Sequence, residues 1–454
     1  MTTLDHLDTL LGERLLRPGT DSFTTATRLE FAGLDDDRRV PSAVAQVTGP
    51  DDVAAALRAA RESGAPVAVR TGGHSYARHP ALAGAVVIDT RRMDGVEIDA
   101  ERRLGWAQGG VLARAYTDAA FAHGLATGFG DTPTVGVAGL TLGGGIGFLS
   151  RRDGLTIDNL LSAEVVLADG SVVTADADQH PDLFWALRGG GGNFGVVTKL
   201  GLRLTPTTMV TGGMLVFDPT PALVAGLLTA LLAAPDELSA MVNVMRTPPM
   251  PFLPAEMHGR PGLLVLPCWS GPAEDAERAF APIRALGEPV VDTVGEQPYP
   301  ALLEGPPGSD QPVFPDVRTG FVDAVDEEWA AAAIDVVATA PTPMAVVNLR
   351  VMGGAIARVS TDATAFAHRD RGIMASVGAM FFDPTLAPAA QEWTASAARR
   401  LTTGTAGYVN FMTGAAASDV EAAYPGETLE RLREVKRTYD PENVFRAVHN
   451  VHPA

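Results

Sequence analysis

The chain has 454 residues, 46% of them apolar, and a formal net charge of −19 at pH 7. This length accommodates two or three domains with sizeable cores, and the acidic balance argues against nucleic acid or an anionic membrane as a partner. Because Cys268 is the only cysteine, a disulfide within the chain and a zinc or iron–sulfur site built from cysteines are excluded.

Short helical and strand patterns alternate between residues 42 and 205. The first predicted helix is Asp51–Ser63, and the strand after it, Pro66–Arg70, runs directly into a pair of glycines. The periodicity and the turn residues then predict a strand at Val86–Asp89, a helix at Arg114–His123, a hairpin of Ser162–Leu167 with Val172–Thr174, a helix at Asp182–Arg188 and a strand at Val196–Leu204.

The composition changes near Thr205–Pro206, where prolines become denser and glycine clusters cease. We therefore expect a domain boundary at this point. The last 45 residues contain one more predicted helix, Glu427–Thr438. The most apolar stretch, residues 222–234, is shorter than the ~20 residues of a membrane span. The first residues show no secretory pattern, so we expect a cytoplasmic protein.

Three glycine clusters lie within the first 200 residues, at 70–76, 136–147 and 189–195. Glycine lets backbone amides approach a diphosphate without steric hindrance, so the set favours a dinucleotide over a series of tight turns. Residues 190–195 match G-x-G-x-x-G, but a helix is predicted before them and a strand after them. This order excludes a Rossmann NAD site, and neither a Walker A sequence nor a nucleophile elbow is present.

The motifs and their order are specific. They read R-x-G-G-H-S-Y (70–76), T-V-G-V-x-G-L-T-L-G-G-G-x-G (134–147), R-x-G-L-x-x-D-N-L (152–160), V-L-A-D-G (166–170) and G-G-G-N-F-G-V-V-T (190–198), with Y-V-N-F (408–411) and D-P-E-N-V-F-R (440–446) near the end. The sequence from about 40 to 454 resembles the berberine-bridge-enzyme-like FAD-linked oxidases of the vanillyl-alcohol-oxidase superfamily.

The resemblance implies an α+β fold with a PCMH-type FAD-binding domain of two subdomains and a substrate domain. The FAD-binding domain would span residues 1–205, with its core at about 38–205. The substrate domain, 206–407, would be a large antiparallel sheet backed by helices. The segment 408–454 would return to the FAD-binding domain.

The resemblance also implies FAD joined through its 8α-methyl group to His74. Many relatives carry a second link through a cysteine at the position of Thr132, so we predict a single covalent bond. The family's C-terminal N-x-N is Val448-His449-Asn450 here, so one flavin contact is expected to be missing. The other expected cofactor residues are Arg70, Thr71, Gly72, Gly73, Ser75, Tyr76, Thr132, Thr134, Val135, Gly136, Gly139, Gly143, Gly144, Gly145, Gly147, Asp158, Asn159, Gly195, Val196, Val197 and Asn450.

Val135 stands where the family places a residue beside the flavin. A valine there goes with oxygen access and favours an oxidase, the alternative being a valine chosen for packing.

Tyr408 is the candidate catalytic base. With a reference pKa of about 10, it requires a neighbouring donor or cation that stabilises the phenolate. Asn410 would share its face if the segment were a strand; the alternative is that Tyr408 is a core aromatic. Tyr424 and Tyr439 lie in polar contexts typical of a surface.

The predicted strand Val346–Met352 places Asn348, Arg350 and Met352 on one face. That face either lines the substrate pocket or is an outward polar face. We expect His368 to be structural and Cys268 with Trp269 to belong to the core. No metal site is expected.

The sequence therefore predicts an oxidase that acts on an alcohol, amine or sugar-like group of a small molecule, with O2 as acceptor and H2O2 as product. By analogy, its substrate would be an intermediate of secondary metabolism. Two alternatives remain open: an oxygenation or rearrangement on the same fold, and a flavin- or ligand-binding protein without turnover.

Overall fold

The computed structural model describes residues 3–35, 38–251, 253–303 and 311–454. The helices are α1 (Thr3–Leu11), α2 (Asp21–Thr27), α3 (Pro50–Ser63), α4 (Ala113–Phe121), α5 (Val137–Leu142), α6 (Ser150–Asp153), α7 (Pro181–Leu187), α8 (Pro221–Leu232), α9 (Ala276–Arg284), α10 (Glu327–Ala338), α11 (Ala355–Arg358), α12 (Ala387–Leu401), α13 (Ala417–Ala423) and α14 (Glu427–Tyr439).

The strands are β1 (Leu15–Leu16), β2 (Ala43–Gln46), β3 (Val67–Arg70), β4 (Val86–Asp89), β5 (Val96–Asp99), β6 (Leu104–Gln108), β7 (Leu125–Ala126), β8 (Leu160–Val166), β9 (Val172–Asp176), β10 (Val196–Arg203), β11 (Thr205–Pro206), β12 (Met209–Gly212), β13 (Leu215–Phe217), β14 (Leu238–Arg246), β15 (Pro261–Trp269), β16 (Val291–Asp292), β17 (Gly295–Pro298), β18 (Phe314–Val322), β19 (Met344–Val351) and β20 (Ile373–Phe381). The helices and strands predicted above are all present, with ends displaced by at most two residues.

Local signals explain why the predicted elements form. Helix α3 begins with Pro50 and has Asp51 and Asp52 in its first turn, where acidic side chains favour the helix dipole. It ends at Gly64, whose φ of 69° is left-handed and favours glycine. The hairpin of β8 and β9 turns at Asp169-Gly170, as predicted.

Two sheets form the part of the fold that holds the glycine clusters. In the first, β2, β4 and β3 are parallel and β1 pairs with β2 in the antiparallel sense. The second is antiparallel, in the order β5-β6-β10-β8-β9. The third glycine cluster follows α7 and precedes β10, so the order that excludes a Rossmann site is confirmed.

A large antiparallel sheet follows, in the order β16-β13-β15-β14-β19-β20-β18, with β12 and β17 added at β15. Helices α8, α9, α10 and α12 cover one of its faces, and they share an apolar core with inward residues of the strands such as Val242, Val347 and Val377. The predicted α+β fold, with a large antiparallel sheet backed by helices, is confirmed.

The C-terminal segment packs against the glycine-rich part of the molecule. Leu429, Leu432 and Val435 of α14 belong to the same apolar core as Phe184 and Leu200. The division of the chain into domains at 205 and 407 remains a prediction. Among the described residues, no helix combines the length and apolarity that crossing a membrane requires.

Candidate active site

The first two glycine clusters lie in direct backbone contact. A Cβ at Gly72 would stand 2.6 Å from the amide nitrogen of Gly136, and a Cβ at Gly136 would overlap with the side chain of Thr71. Only glycine permits this approach at both positions. As a result, His74 reaches the second cluster, where its Nε2 lies 2.9 Å from Oγ1 of Thr134.

The imidazole of His74 is half-buried. Burial lowers the pKa of His74 below its usual value, although the nearby carboxylate of Glu30 and the contact with Thr134 act in the opposite direction. The neutral, nucleophilic form therefore predominates at neutral pH. Since Thr134 engages Nε2, Nδ1 is the nitrogen to which no described residue is hydrogen-bonded.

The second cluster turns sharply beside the C-terminal segment. Gly144 and Gly145 have φ values of 136° and 80°, a region that favours glycine. A Cβ at Gly143 would overlap with the amide of Asn410, and one at Gly147 with the carbonyl of Phe129. Gly139 differs from these, because nothing lies within 4 Å of the position of its Cβ.

Tyr408 and Asn410 are brought together, but not by a strand. Residues Val409–Phe411 form a 3-10 helix that follows Tyr408, so the segment is not the strand on which the two side chains would share a face. This tighter turn lets Nδ2 of Asn410 donate to the hydroxyl of Tyr408 at 2.9 Å and to the carbonyl of Leu140 at 2.9 Å. The backbone N–H of Gly145 donates to the same hydroxyl at 2.9 Å.

Tyr408 is 2% exposed. Burial raises the pKa of its hydroxyl, while the hydrogen bonds from Gly145 and Asn410 and the charge of Arg350 oppose that rise. The phenolate thus has the stabilising donors that a base of this type requires, but desolvation is the larger effect.

Arg350 links three segments around the site. Its Nη2 lies 2.9 Å from Oδ2 of Asp131, its Nη1 donates to the carbonyl of Ile146 at 3.2 Å, and its guanidinium lies 4.8 Å from the ring centroid of Phe411. Arg350 is 5% exposed. Asn348 donates to Asn243 at 2.7 Å, and Met352 packs in one apolar cluster with Tyr408. An outward polar face is therefore the wrong interpretation of these residues.

Several predicted cofactor residues have partners within the protein. Asp158 forms a buried ion pair with Arg369 at 2.6 Å, and Asn159 donates to the carbonyls of Asp153 and Leu155. The hydroxyl of Thr132 donates to Asp131 at 3.1 Å. Gly195 packs on β8, and Val196 and Val197 are buried in β10.

The other aromatic and histidine side chains for which the sequence predicts a role or a location, together with Cys268, are all at least partly buried. Tyr76 stacks on Phe31 with centroids 4.7 Å apart, and burial raises its pKa to about 12. His368 is buried, and its Nε2 donates to the carbonyl of Ala423 at 3.1 Å, as expected for a structural residue. Tyr424 is 2% exposed, so its predicted surface location was wrong. Cys268 and Trp269 are buried, as predicted.

Sequence reasoning missed Asp131, Asn243 and Phe411. Asp131 directly precedes Thr132, and Phe411 follows Asn410, so both lie next to predicted residues. No sequence pattern around Asn243 predicts a role in the site. Asn243 lies beside Asn348 only because β14 pairs with β19.

Unpaired buried polar atoms test whether the site fits FAD. Nε and Nη1 of Arg70 and Oδ1 of Asn450 are buried without a hydrogen-bond partner among the described residues. Nη2 of Arg70 donates to the carbonyl of Arg28 at 2.5 Å, and burial lowers the pKa of Arg70 to about 10. Because such orphaned groups are costly, an anionic dinucleotide that supplies partners fits this site.

Two family profiles match the chain: "FAD binding domain" at residues 41–176 and "Berberine and berberine like" at 407–452. The chain is 33% identical over 426 residues to (R)-6-hydroxynicotine oxidase of Paenarthrobacter nicotinovorans, with 91% of each chain covered. It is 30% identical over 439 residues to the uncharacterized FAD-linked oxidoreductase YgaK of Bacillus subtilis, covering 91% of this chain and 92% of the relative.

Solved structures share the fold. The 6-hydroxy-D-nicotine oxidase of Arthrobacter nicotinovorans superposes with a TM-score of 0.86 at 27% identity, over 97% of this chain and 98% of that one. A glucooligosaccharide oxidase of Acremonium strictum superposes with a TM-score of 0.85 at 23% identity over 100% of each chain. The chain therefore belongs to the berberine-bridge-enzyme-like family of FAD-linked oxidoreductases.

Proposed function

We propose that the protein is an oxidase that carries FAD through one covalent bond to His74. Its substrate would be an alcohol, amine or sugar-like group of a small organic molecule, with O2 as acceptor and H2O2 as product. The observation that carries this proposal is the neutral imidazole of His74, which Thr134 holds where the two glycine clusters meet.

A single link follows from the chain's own residues. The glucooligosaccharide oxidase of Acremonium strictum carries a 6-S-cysteinyl, 8α-N1-histidyl FAD. Here Thr132 occupies the position where the cysteine is expected, and Cys268, the only cysteine, is buried in β15. Thr134 engages Nε2 of His74, so we assign the bond to Nδ1, the atom that corresponds to N1 of the histidyl link in that oxidase.

The residues that would hold FAD are those with buried polar atoms that lack a hydrogen-bond partner, and a glycine whose backbone borders free space. Arg70 and Asn450 carry buried atoms without partners among the described residues, and Gly139 lies beside open space. The chemistry that FAD supplies when bound is acceptance of a hydride from a substrate C–H bond and reoxidation by O2. We assign Val135, next to Thr134, to oxygen access.

Tyr408 would accept the proton that leaves the substrate's hydroxyl or amine. Gly145 and Asn410 fix its oxygen from two sides, and Arg350 contributes a positive charge. Because burial raises the pKa of Tyr408, the deprotonated form becomes available as the pH rises. The domain boundaries, the cytoplasmic location and the role in secondary metabolism are further proposals that rest on the sequence.

The decisive experiment is acid precipitation of the purified protein, followed by mass mapping of the flavin-bearing peptide, with His74→Ala as the matched variant. We expect flavin on His74 alone in the wild type and none bound covalently in the variant. Flavin in the supernatant of the wild type would exclude the tether. A protein that holds no flavin, even when FAD is supplied during expression, would overturn the oxidase proposal.

A further inference from the structure

The large sheet has one face that helices α8, α9, α10 and α12 do not cover. In the central strands β14, β19, β20 and β18, every second residue points away from these four helices. We call this surface the pocket face. Arg350 is one of its members, and through Arg350 the face is continuous with Asp131, Phe411 and Tyr408.

The pairing of strands arranges the pocket face in rows. The row nearest Tyr408 runs Met241, Arg350, Met374 and Phe321. Phe321 and Met374 belong to the same apolar cluster as Tyr408. The residues that would handle the reacting group thus lie at the inner end of this face.

The next row is polar but uncharged. It runs Asn243, Asn348, Ser376 and Thr319 across four neighbouring strands. Asn348 donates to Asn243 at 2.7 Å, and Thr319 accepts the backbone N–H of Tyr408 at 2.9 Å. The carbonyl oxygen of Asn348 and the amide group of Asn243 keep further capacity for hydrogen bonds.

The outer rows are apolar and half-buried. Met245 lies level with Val346, and Met344 pairs with Met380 one step further out. Five of the chain's 13 methionines therefore lie on this face: Met241, Met245, Met344, Met374 and Met380. Methionine is flexible and polarizable, and it makes favourable contacts with aromatic rings.

Charge on the pocket face is balanced internally. All residues of these four strands are described, and Arg350 is the one ionisable residue they contribute to this face. Asp131 pairs with it at 2.9 Å. A charged ligand buried here would find no free counter-ion on these strands, and burying an unpaired charge is costly.

We propose that the substrate is a neutral, largely apolar, ring-containing molecule with a hydroxyl or carbonyl group. Its rings contact the methionines of the outer rows, and its polar group bonds to Asn348 and Asn243. This inference rests on the proposed function and narrows it: a cationic amine and a free sugar are both disfavoured. A sugar lacks the apolar area that the methionines would cover, and an ammonium lacks a counter-ion.

The test is calorimetric binding to the holoenzyme under anaerobic conditions, with its flavin reduced beforehand so that no turnover occurs. The probes are naphthalenemethanol, naphthalenemethylamine, naphthoic acid and glucose. We expect naphthalenemethanol to bind at least about tenfold more tightly than each of the others, because the charged groups lose hydration without a partner. The Asn348→Leu variant should weaken binding of the alcohol by about three- to tenfold.

Met245→Glu provides a second variant, since Met245 is half-buried at the outer edge and tolerates a carboxylate better than the interior. It should weaken binding of the alcohol and strengthen binding of the amine. The control is Met209→Glu on β12 of the same sheet, a methionine that is 43% exposed and lies outside the pocket face. This variant should change the affinity for neither the alcohol nor the amine.

Preference for the amine or glucose in the wild type would overturn the substrate class. Unchanged binding of the alcohol in both the Asn348 and Met245 variants would show that the ligand does not bind on the pocket face, and it would also overturn the inference. Neither outcome affects the peptide map of His74, so failure of this inference and failure of the proposed function are separable.

Discussion

At the scale of single residues, the contact between Thr134 and His74 controls which nitrogen of the imidazole is available. Replacing Thr134 by valine removes the hydroxyl that lies 2.9 Å from Nε2. The ring then loses its fixed orientation, and we expect a smaller fraction of the protein to carry covalent flavin. The measurement is the flavin retained by the acid precipitate. Thr134→Ser, which keeps the hydroxyl, should restore the retention of flavin. Equal retention in the wild type and in both Thr134 variants would contradict the role of Thr134.

The hydroxyl of Tyr408 leads to a second prediction at the scale of single residues. Loss of a general base typically lowers the rate by about 10²- to 10⁴-fold, so we expect Tyr408→Phe to reduce kcat by such a factor while covalent flavin is unchanged. Because burial raises the pKa of Tyr408, the base is protonated at neutral pH, and kcat/KM of the wild type should rise as the pH increases into the alkaline range. A rise completed in the acidic range would instead indicate a carboxylate base.

At the scale of elements, α14 carries a buried ion pair at its C-terminal end, and the lysine of this pair also bonds to the third glycine cluster. Lys436 and Asp440 are each 0% exposed and lie 2.6 Å apart, and Nζ of Lys436 also donates to the carbonyls of Asn193 and Phe445. Lys436→Met would leave the carboxylate of Asp440 buried without its counter-ion. We expect this change to lower the free energy of unfolding by about 3–5 kcal/mol, measured by urea denaturation.

The double variant Lys436→Met, Asp440→Asn is the control for that prediction. It removes the uncompensated charge, so it should be more stable than Lys436→Met alone. Equal stability of the two variants would show that the hydrogen bonds to the carbonyls, rather than the charge pair, hold the helix.

At the scale of the whole molecule, Arg350 connects the large sheet to the loop that carries Thr132 and Thr134. Asp131→Asn leaves a guanidinium that is 5% exposed without its partner, and we expect a loss of about 3–5 kcal/mol in the free energy of unfolding. Arg350→Met should cost less, because the side chain of Asp131 is 33% exposed and can be hydrated. In a double-mutant cycle the combined loss should be smaller than the sum; additive losses would show that the pair does not couple the two parts.

The buried histidines predict how the stability of the whole molecule depends on pH. Burial lowers the pKa of His79 to about 3 and that of His368 to about 4, and it lowers the pKa of His449 as well. A pKa that is depressed on folding gives stability that is complete above the unfolded value, about 6.5, and is lost as the pH falls through the window down to about 4.

We therefore expect the free energy of unfolding, from urea denaturation, to decrease between about pH 6.5 and pH 4. The free energy of unfolding of the His368→Gln variant should decrease less over this range, since glutamine can donate to the carbonyl of Ala423 without titrating. A flat profile in the wild type would contradict the neutral, buried state of these histidines.

The sequence by itself determined the family and the fold class, and its periodicity and turn residues predicted eight of the 13 helices and strands between residues 50 and 204. These properties depend on local information: glycines where backbones touch, periodicity of apolar residues, and turn residues such as Asp169-Gly170. Gly72 and Gly136 can be recognised in the sequence because each belongs to a glycine cluster, although the backbone contact that excludes a Cβ at each position is tertiary.

Only the tertiary structure decided how the site is assembled. Tyr408 meets Gly145 across 263 residues of chain, and Arg350 meets Asp131 across 219. The turn at Tyr408–Asn410 is a 3-10 helix because Asn410 bonds at once to Tyr408 and to Leu140, a contact that no local pattern encodes. The rows of the pocket face likewise come from the register of strands that are distant in sequence.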